Sequence, residues 1–410
     1  MNILIVSLNY APEPTGIGLY SGGLATELAT RGHRVKVVAA VPHYPQWRIF
    51  DGYRGWWWTS NIESGVSVTR CPVYVPANVT GLKRIIHYAS FAISSFFPII
   101  AKALFFRPDI ILNVAPSLGT APTTLVSAKL TGAKAWLHLQ DFEIEAAFAT
   151  GQVNASGIAA NAARRFEKAV LKRFDIVSSI SPEMCHKLSE KQVGTEQIYE
   201  FRNWAELDHI KPQALSSYRS KWCLGNKKIG LYSGNIASKQ GIEMLLDLAR
   251  IMSVDPEFHL VICGEGANRL ALEDKAKGLA NISFYDLQPM ENLSELLALA
   301  SIHLLPQKAG AADLVLPSKL TNMLASGRPV VAGAAVGTGL AREVEGCGLA
   351  VEPENAQAMA DAINLLIGDE QHYAACATEA RVRAEARWSK KAIIDALEQR
   401  MMPLRKKERA

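Results

Sequence analysis

Met1–Gly32, MNILIVSLNYAPEPTGIGLYSGGLATELATRG, holds a complete strand, loop and helix. The apolar run Ile3–Leu8 predicts a buried strand, residues 9–18 a glycine-bearing loop, and Leu19–Arg31 a helix. Leu24 and Leu28 fall on one face of that helix, and Gly32 follows its end. Val35–Val41 predicts the next strand, followed by short apolar runs at Pro108–Val114, Ala133–Leu139 and Phe174–Ser181. The second half repeats the grammar at Ile229–Ser233, His259–Cys263, Ile282–Tyr285, Ile302–Pro306, Val330–Ala332 and Leu349–Val351, with helical segments such as 240–252 and 355–367 between them. The expected fold class is therefore α/β, with two doubly wound parallel sheets. Residues 203–228, polar and with a proline, read as the linker, so the expected domains are 1–203 and 204–388. The amphipathic WSKKAIIDALEQRMM comes after the second sheet is complete, so 389–410 is expected to return to the first domain, with PLRKKERA frayed. Ligands of such sheets bind beyond the carboxyl ends of the strands, and the expected site is a crevice between the two.

The chain has 410 residues, 49% of them hydrophobic and 20% charged, which excludes a disordered chain and a small disulfide-stapled scaffold. The six cysteines (Cys71, Cys185, Cys223, Cys263, Cys347 and Cys376) form no CxxC and no short Cys/His spacing. They indicate reduced thiols in a cytoplasmic protein rather than a zinc site or a disulfide framework. The start has no basic n-region and no small-residue cleavage site, and so does not read as a signal peptide. The net charge of +5 is unevenly placed: residues 1–140 carry 12 Lys and Arg against 5 Asp and Glu, the remainder 32 against 34. With no nucleic-acid-binding motif beside it, that basic excess suits an anionic membrane surface or a phosphorylated substrate.

Several loops carry candidate chemistry. In PEPTGIGLYSGG (12–23), Gly16 and Gly18 place open backbone amides at a helix start, which suits a phosphate, although a turn needed only for close packing has the same composition. The rest of a dinucleotide fingerprint is missing, and the second strand ends VVAAVPHYP without an acid for a ribose, so NAD is not expected. SGNIASKQG (233–241) sets Gly234 and Asn235 before Lys239, either a point charge for a diphosphate or a solvated lysine. CGEGANRL (263–270) adds a second turn with Gly264, Glu265 and Gly266. The densest segment, KAGAADLVLPSKLTNMLASGRPVVAG (308–333), groups Asp313, Ser318, Lys319 and Asn322 around a helix start at Pro317. Ser318, Lys319 and first-turn amides make a diphosphate clamp, Asp313 an acceptor for sugar hydroxyls, and Asn322 a ribose contact. The alternative is a cap and a solvated face. In WLHLQDFEIEAA (136–147), His138 and Asp141, with Glu143 and Glu145, stand where a strand enters a loop. An imidazole beside carboxylates suits hydroxyl activation or sugar orientation. A satisfied core histidine and a helix-capping aspartate are the plainer readings.

In residues 83–106 only 14 uncharged residues run from Tyr88 to Ala101, with Pro98 inside, short of the ~20 that a span needs. The stretch reads as a buried helix pair or as an interfacial apolar face flanked by Lys83, Arg84 and Lys102. Trp56–Trp58 and HYPQW (43–47) are aromatic clusters for a sugar, a lipid interface or core packing. No DxD triplet follows a strand, so no metal is expected, and a diphosphate would be neutralised by lysines and amides.

In this order, the glycine loop, the SGN-x3-K-G turn, the GEG turn and PSKLTNxLASGxPV resemble the family 4 retaining glycosyltransferases of the GT-B fold, over essentially the whole chain. LNYAPEPTGIGLYSGG, PHYPQW, SFAISSFFP, QDFEIEA, LYSGNIASKQG and AGAADLVLPSKLTN are similar to the fucosyltransferase subfamily of colanic acid biosynthesis. The resemblance implies two Rossmann-like domains facing across a cleft, the first binding the acceptor and the second a nucleotide-sugar donor. Lys239, Ser318 and Lys319 would hold the donor phosphates, Gly16 and Gly18 would face the donor phosphate or the acceptor, and His138 or Asp141 would line the reactive face of the sugar. The broader family has an arginine where this chain has Asn235, and two glutamates whose positions fall on Leu314, next to Asp313, and on Asn322. The activity implied is metal-independent transfer of a sugar, L-fucose from GDP-fucose, to a polyprenyl-diphosphate-linked oligosaccharide at the inner face of the cytoplasmic membrane. A scaffold that has lost turnover is the alternative.

Overall fold

The computed structural model describes the chain apart from residues 15, 143, 146–156, 206, 213–215, 237–239, 267, 310–316, 318 and 407–410. It divides into two compact units, Met1–Arg202 with Ile394–Ala410, and Asn203–Ile393.

The first unit is built on an eight-stranded sheet: β1 (Asn2–Ser7), β2 (Arg34–Ala40), β3 (Thr59–Glu63), β4 (Val66–Cys71), β5 (Ile110–Ala115), β6 (Lys134–Leu139), β7 (Ile176–Ser179) and β8 (Ile198–Glu200). Its order is β3-β4-β2-β1-β5-β6-β7-β8, parallel except for the β3–β4 hairpin. That hairpin was absent from the expected strands. It turns at Ser64 and Gly65, both at positive φ, the geometry that matches the twist of two antiparallel strands. Helix α1 (Gly16–Thr30) starts three residues earlier than expected.

Helix α2 (Gly81–Phe106) is one continuous helix, which corrects the expectation of a helix pair. At ~1.5 Å per residue its 26 residues run about 39 Å. His87, Phe91, Ser95, Ile99 and Ala103, spaced by four, are buried, and the helix packs on β1, β2, β4 and the helix Ala121–Thr131. By length and composition it passes as a candidate membrane span, yet this buried stripe belongs to a layer of the unit. Pro98 inside it has no N–H for the Ser94 carbonyl, and the Trp58 indole Nε1–H donates to that oxygen at 2.9 Å instead. One of the three tryptophans thus repairs the helix, while Trp56 and Trp57 are exposed.

The second unit has six parallel strands, β9 (Lys228–Ser233), β10 (Phe258–Cys263), β11 (Ile282–Tyr285), β12 (Ile302–Leu305), β13 (Val330–Gly333) and β14 (Gly348–Val351), in the order β11-β10-β9-β12-β13-β14. Each coincides with an expected strand. Both faces are covered: Leu304 and Val331 join the core with Tyr232, Leu260 and Ile363, whereas their neighbours Leu305 and Ala332 join the opposite one with Leu320, Met323 and Trp388.

Two expectations are corrected. Residues 203–228 are not a free linker, because Trp204, Ile210, Tyr218 and Leu224 are buried and the segment belongs to the second unit. The tail is not frayed as far as Lys406, whose ammonium donates to the carbonyls of Pro108 (2.6 Å) and Thr131 (2.9 Å). The return to the first unit buries Ile394, Leu397 and Met401 and sets Arg31 between Asp395 (2.5 Å) and Glu398 (2.6 Å).

Trp58→Phe keeps an aromatic side chain but removes the N–H that satisfies Ser94 together with the pyrrole part of the indole. It should cost about 1 kcal/mol of stability in the first unit, seen as a lower urea midpoint. An unchanged midpoint would show that water serves that carbonyl equally well.

Candidate functional site

In the second unit the strand order reverses between β9 and β12, the position at which ligands sit in open parallel sheets. The turns leaving β9 and β10 nest against each other there. The Gly234 amide donates to the Cys263 carbonyl (2.9 Å) and the Ile236 amide to the Glu265 carbonyl (2.7 Å). A β-carbon on Gly264 would lie 1.8 Å from the Gly234 oxygen, and one on Gly266 2.2 Å from the Ile236 oxygen. Packing alone therefore requires these two glycines. The Glu265 side chain is committed to Arg269 (2.8 Å), which also binds Glu273 (2.8 Å) and Asp286 (2.7 Å). Asn235 is exposed, and its carbonyl accepts the Tyr232 hydroxyl at 2.6 Å.

Lys319 opens the helix Lys319–Ala325 and lies beside the turn after β9. Its ammonium lies 3.9 Å from the centre of the Tyr232 ring, and a β-carbon on Gly234 would stand 3.9 Å from it. No described carboxylate pairs with it. Burial pushes its pKa down to about 7, so near neutral pH the ammonium is only partly protonated, and a bound anion would favour its charged form. One turn on, the Asn322 side-chain oxygen is buried without a hydrogen-bond partner among the described residues. Lys239, Asp313 and Ser318 lie outside the described residues.

In the first unit the carboxyl ends of β1 and β2 are tied together by Glu13, a residue the sequence analysis passed over. Its buried carboxylate accepts the backbone amides of His43 (2.9 Å) and Tyr44 (3.0 Å) and the Asn9 side-chain amide (2.9 Å). Gly18 is buried directly on it, since a β-carbon there would lie 2.6 Å from the Glu13 β-carbon. Gly16 is exposed at the start of α1 with φ 59°. The signal available in the sequence was an acid between two prolines in an apolar loop. Beside it, buried Arg70 bonds Glu63 and the Ala11 and Ala40 carbonyls, and lies over the Tyr10 and Tyr53 rings.

His138 sits on β6 with its ring buried, 4.8 Å from that of Phe201. Its Nδ1 is 3.0 Å from the Ser178 hydroxyl, which accepts the Trp136 indole N–H at 2.8 Å and has a proton to give to the imidazole. Burial pushes the ring pKa down to about 3. At neutral pH His138 is uncharged, able to hydrogen-bond but not to serve as a cation. Asp141 is partly buried two residues beyond the end of β6. Glu145 turns to Lys191 (2.7 Å) and Lys187 (3.5 Å), and Glu143 lies outside the described residues. Among the described residues no group of three or more His, Cys, Asp or Glu is placed to hold a metal.

Comparison with known proteins follows the same division. Residues 15–204 match the model of a glycosyl transferase 4-like domain, and residues 218–383 that of glycosyl transferases group 1. The chain is 41% identical over 370 residues, 88% of its own length and 90% of the relative's, to the Escherichia coli (strain K12) protein named "Putative colanic acid biosynthesis glycosyl transferase WcaI". Among solved structures it resembles sucrose-phosphate synthase from Thermosynechococcus elongatus (TM-score 0.75, 17% identity, 98% of each chain). It also resembles Anabaena Alr3699/HepE in complex with UDP and glucose (TM-score 0.69, 17% identity, 98% of this chain and 100% of that one). At such identities these likenesses establish the fold. With both units matched and one relative aligned over nine-tenths of its length, the chain belongs to the group 1, family 4 glycosyltransferases and has the GT-B fold.

Proposed function

We propose that this glycosyltransferase moves L-fucose from GDP-fucose, with retention, onto a polyprenyl-diphosphate-linked oligosaccharide in the synthesis of a colanic-acid-like exopolysaccharide. The observation that carries the donor side is Lys319, a partly buried lysine without a described carboxylate partner, beside the Gly234 turn at the strand-order reversal. A nucleoside diphosphate leaving group supplies the missing anion. Lys319 would share it with Lys239, Ser318 and turn amides, so that charge developing on the departing diphosphate is stabilised without a metal. Asn235, Gly264, Glu265 and Gly266 shape the turns that receive the nucleotide, and Asn322 offers its free oxygen to a ribose hydroxyl. Neutral His138 would hydrogen-bond the sugar, with Asp141 and Asp313 as further hydroxyl acceptors.

The acceptor side rests on α2. Ile93, Phe97 and Phe105 on it are 75%, 77% and 90% exposed, and Trp56 and Trp57 stand out on the segment that Trp58 ties to it. An apolar helix face with flanking Lys83, Arg84 and Lys102 suits peripheral attachment to an anionic cytoplasmic membrane surface. The name of the Escherichia coli relative supports the exopolysaccharide assignment.

Calorimetric titration with GDP-fucose, GDP and UDP tests the donor. Selective binding of the guanosine compounds is expected, preference for UDP would replace the donor, and no binding to any would overturn the reading. Because anion binding draws on protonated Lys319, affinity for the nucleoside diphosphate should fall as pH rises above about 7, with proton uptake visible in buffers of different ionisation heat. Lys319→Met should weaken binding by roughly tenfold or more and flatten that pH dependence. Transfer should proceed at an unchanged rate in EDTA. A rate restored only by added Mg²⁺ or Mn²⁺ would show that a metal neutralises the diphosphate.

A further inference from the structure

The PHYPQW segment after β2 has no role in the donor reading above, and the structure joins it to the first two turns of α2. Trp47 is its hub. Its backbone is held at φ 51°, a conformation that a bulky residue adopts at a cost, and its ring lies 5.3 Å from that of His87 and 6.0 Å from that of His43. The Arg84 guanidinium lies over the indole, 5.9 Å from the ring centre. Its Nε is buried without a hydrogen-bond partner, and no carboxylate pairs with Arg84 among the described residues.

The groups around this arginine do not neutralise it. His87 donates its Nδ1–H to the Tyr74 carbonyl (2.6 Å), and burial pushes its pKa down to about 4, so it is an uncharged ring. His43 is committed through Nδ1 to the Val41 carbonyl (2.9 Å). Glu13, the nearby acid, is saturated by the two backbone amides and Asn9. Arg84 is thus an unspent fork of donors in a low-dielectric aromatic setting, which matches phosphate oxygens in geometry as well as charge. The exposed apolar side chains of α2 begin beside it, with Leu82, Ile85 and Ile86 in the same two turns.

We infer that Arg84, braced on Trp47, binds the diphosphate of a polyprenyl-diphosphate-linked acceptor whose lipid chain lies on the exposed face of α2. The inference rests on the lipid-linked acceptor proposed above and assigns the residue that distinguishes that acceptor from bulk anionic lipid. Trp47 fixes the guanidinium, and the apolar stripe supplies the area that a free diphosphate would not use.

The full-length protein would be sedimented with phosphatidylcholine vesicles containing either undecaprenyl diphosphate or phosphatidylglycerol, matched in charge, with plain phosphatidylcholine as reference. The wild type should bind the diphosphate vesicles most tightly. Arg84→Gln should lower that binding about tenfold, towards the level of the phosphatidylglycerol vesicles. Arg84→Lys should recover only part of it, because the charge returns without the fork. GDP binding by each variant checks that the chain is folded. Undiminished diphosphate preference in Arg84→Gln would overturn this inference alone. An equal loss on both vesicle types would reduce Arg84 to a general surface charge and overturn it as well. A wild type that binds no vesicle of any composition would overturn the lipid-linked acceptor reading together with it.

Discussion

In both units the loops that leave the carboxyl ends of the strands pack closer than a β-carbon permits. Gly264 rests on the Gly234 carbonyl, and Gly18 rests on Glu13. A parallel sheet offers backbone amides to a ligand only where these loops are short and unobstructed, and stacking one turn on another keeps them so. The same closeness excludes water from the groups beneath. Glu13 is buried for that reason and has to be saturated by three donors, which in turn pins the segment bearing His43, Tyr44 and Trp47.

The two units share a local arrangement of charge. Each holds a partly buried cation set beside an aromatic ring and without a carboxylate partner among the described residues: Lys319 over Tyr232 in the second, Arg84 over Trp47 in the first. A ring face stabilises a cation without pairing with it, so no carboxylate has to be displaced by a bound anion. Arg269 and Arg70 show the contrast. Both are enclosed by carboxylates or carbonyls and serve structure.

Helix α2 shows how a single residue changes what a segment can do. Pro98 breaks the hydrogen-bond ladder at Ser94, and Trp58 repairs it from another part of the chain. The helix can then run its full length with one stripe buried on the sheet and much of the remainder apolar and exposed. Counting uncharged residues shows that the stretch is short for a span. It does not show that the flanking charged residues continue the same helix, or that a tryptophan some forty positions earlier completes it.

All six strands of the second unit and the parallel strands β1, β2, β5, β6 and β7 of the first were legible as apolar runs, because strands covered on both faces must be apolar throughout. The glycine turns, Lys319 and Asn322 were also marked by spacing alone. The β3–β4 hairpin was not, since its Thr59–Glu63 strand is largely exposed and lacks a buried pattern. Nor were the burial of Trp204, Ile210, Tyr218 and Leu224, the anchoring of Lys406, the role of Glu13 or the isolation of Arg84. Local sequence determines periodicity and turn chemistry, which are properties of neighbouring residues. Whether a charge is saturated, paired or left unspent depends on groups up to hundreds of positions away, and only the tertiary structure decides it.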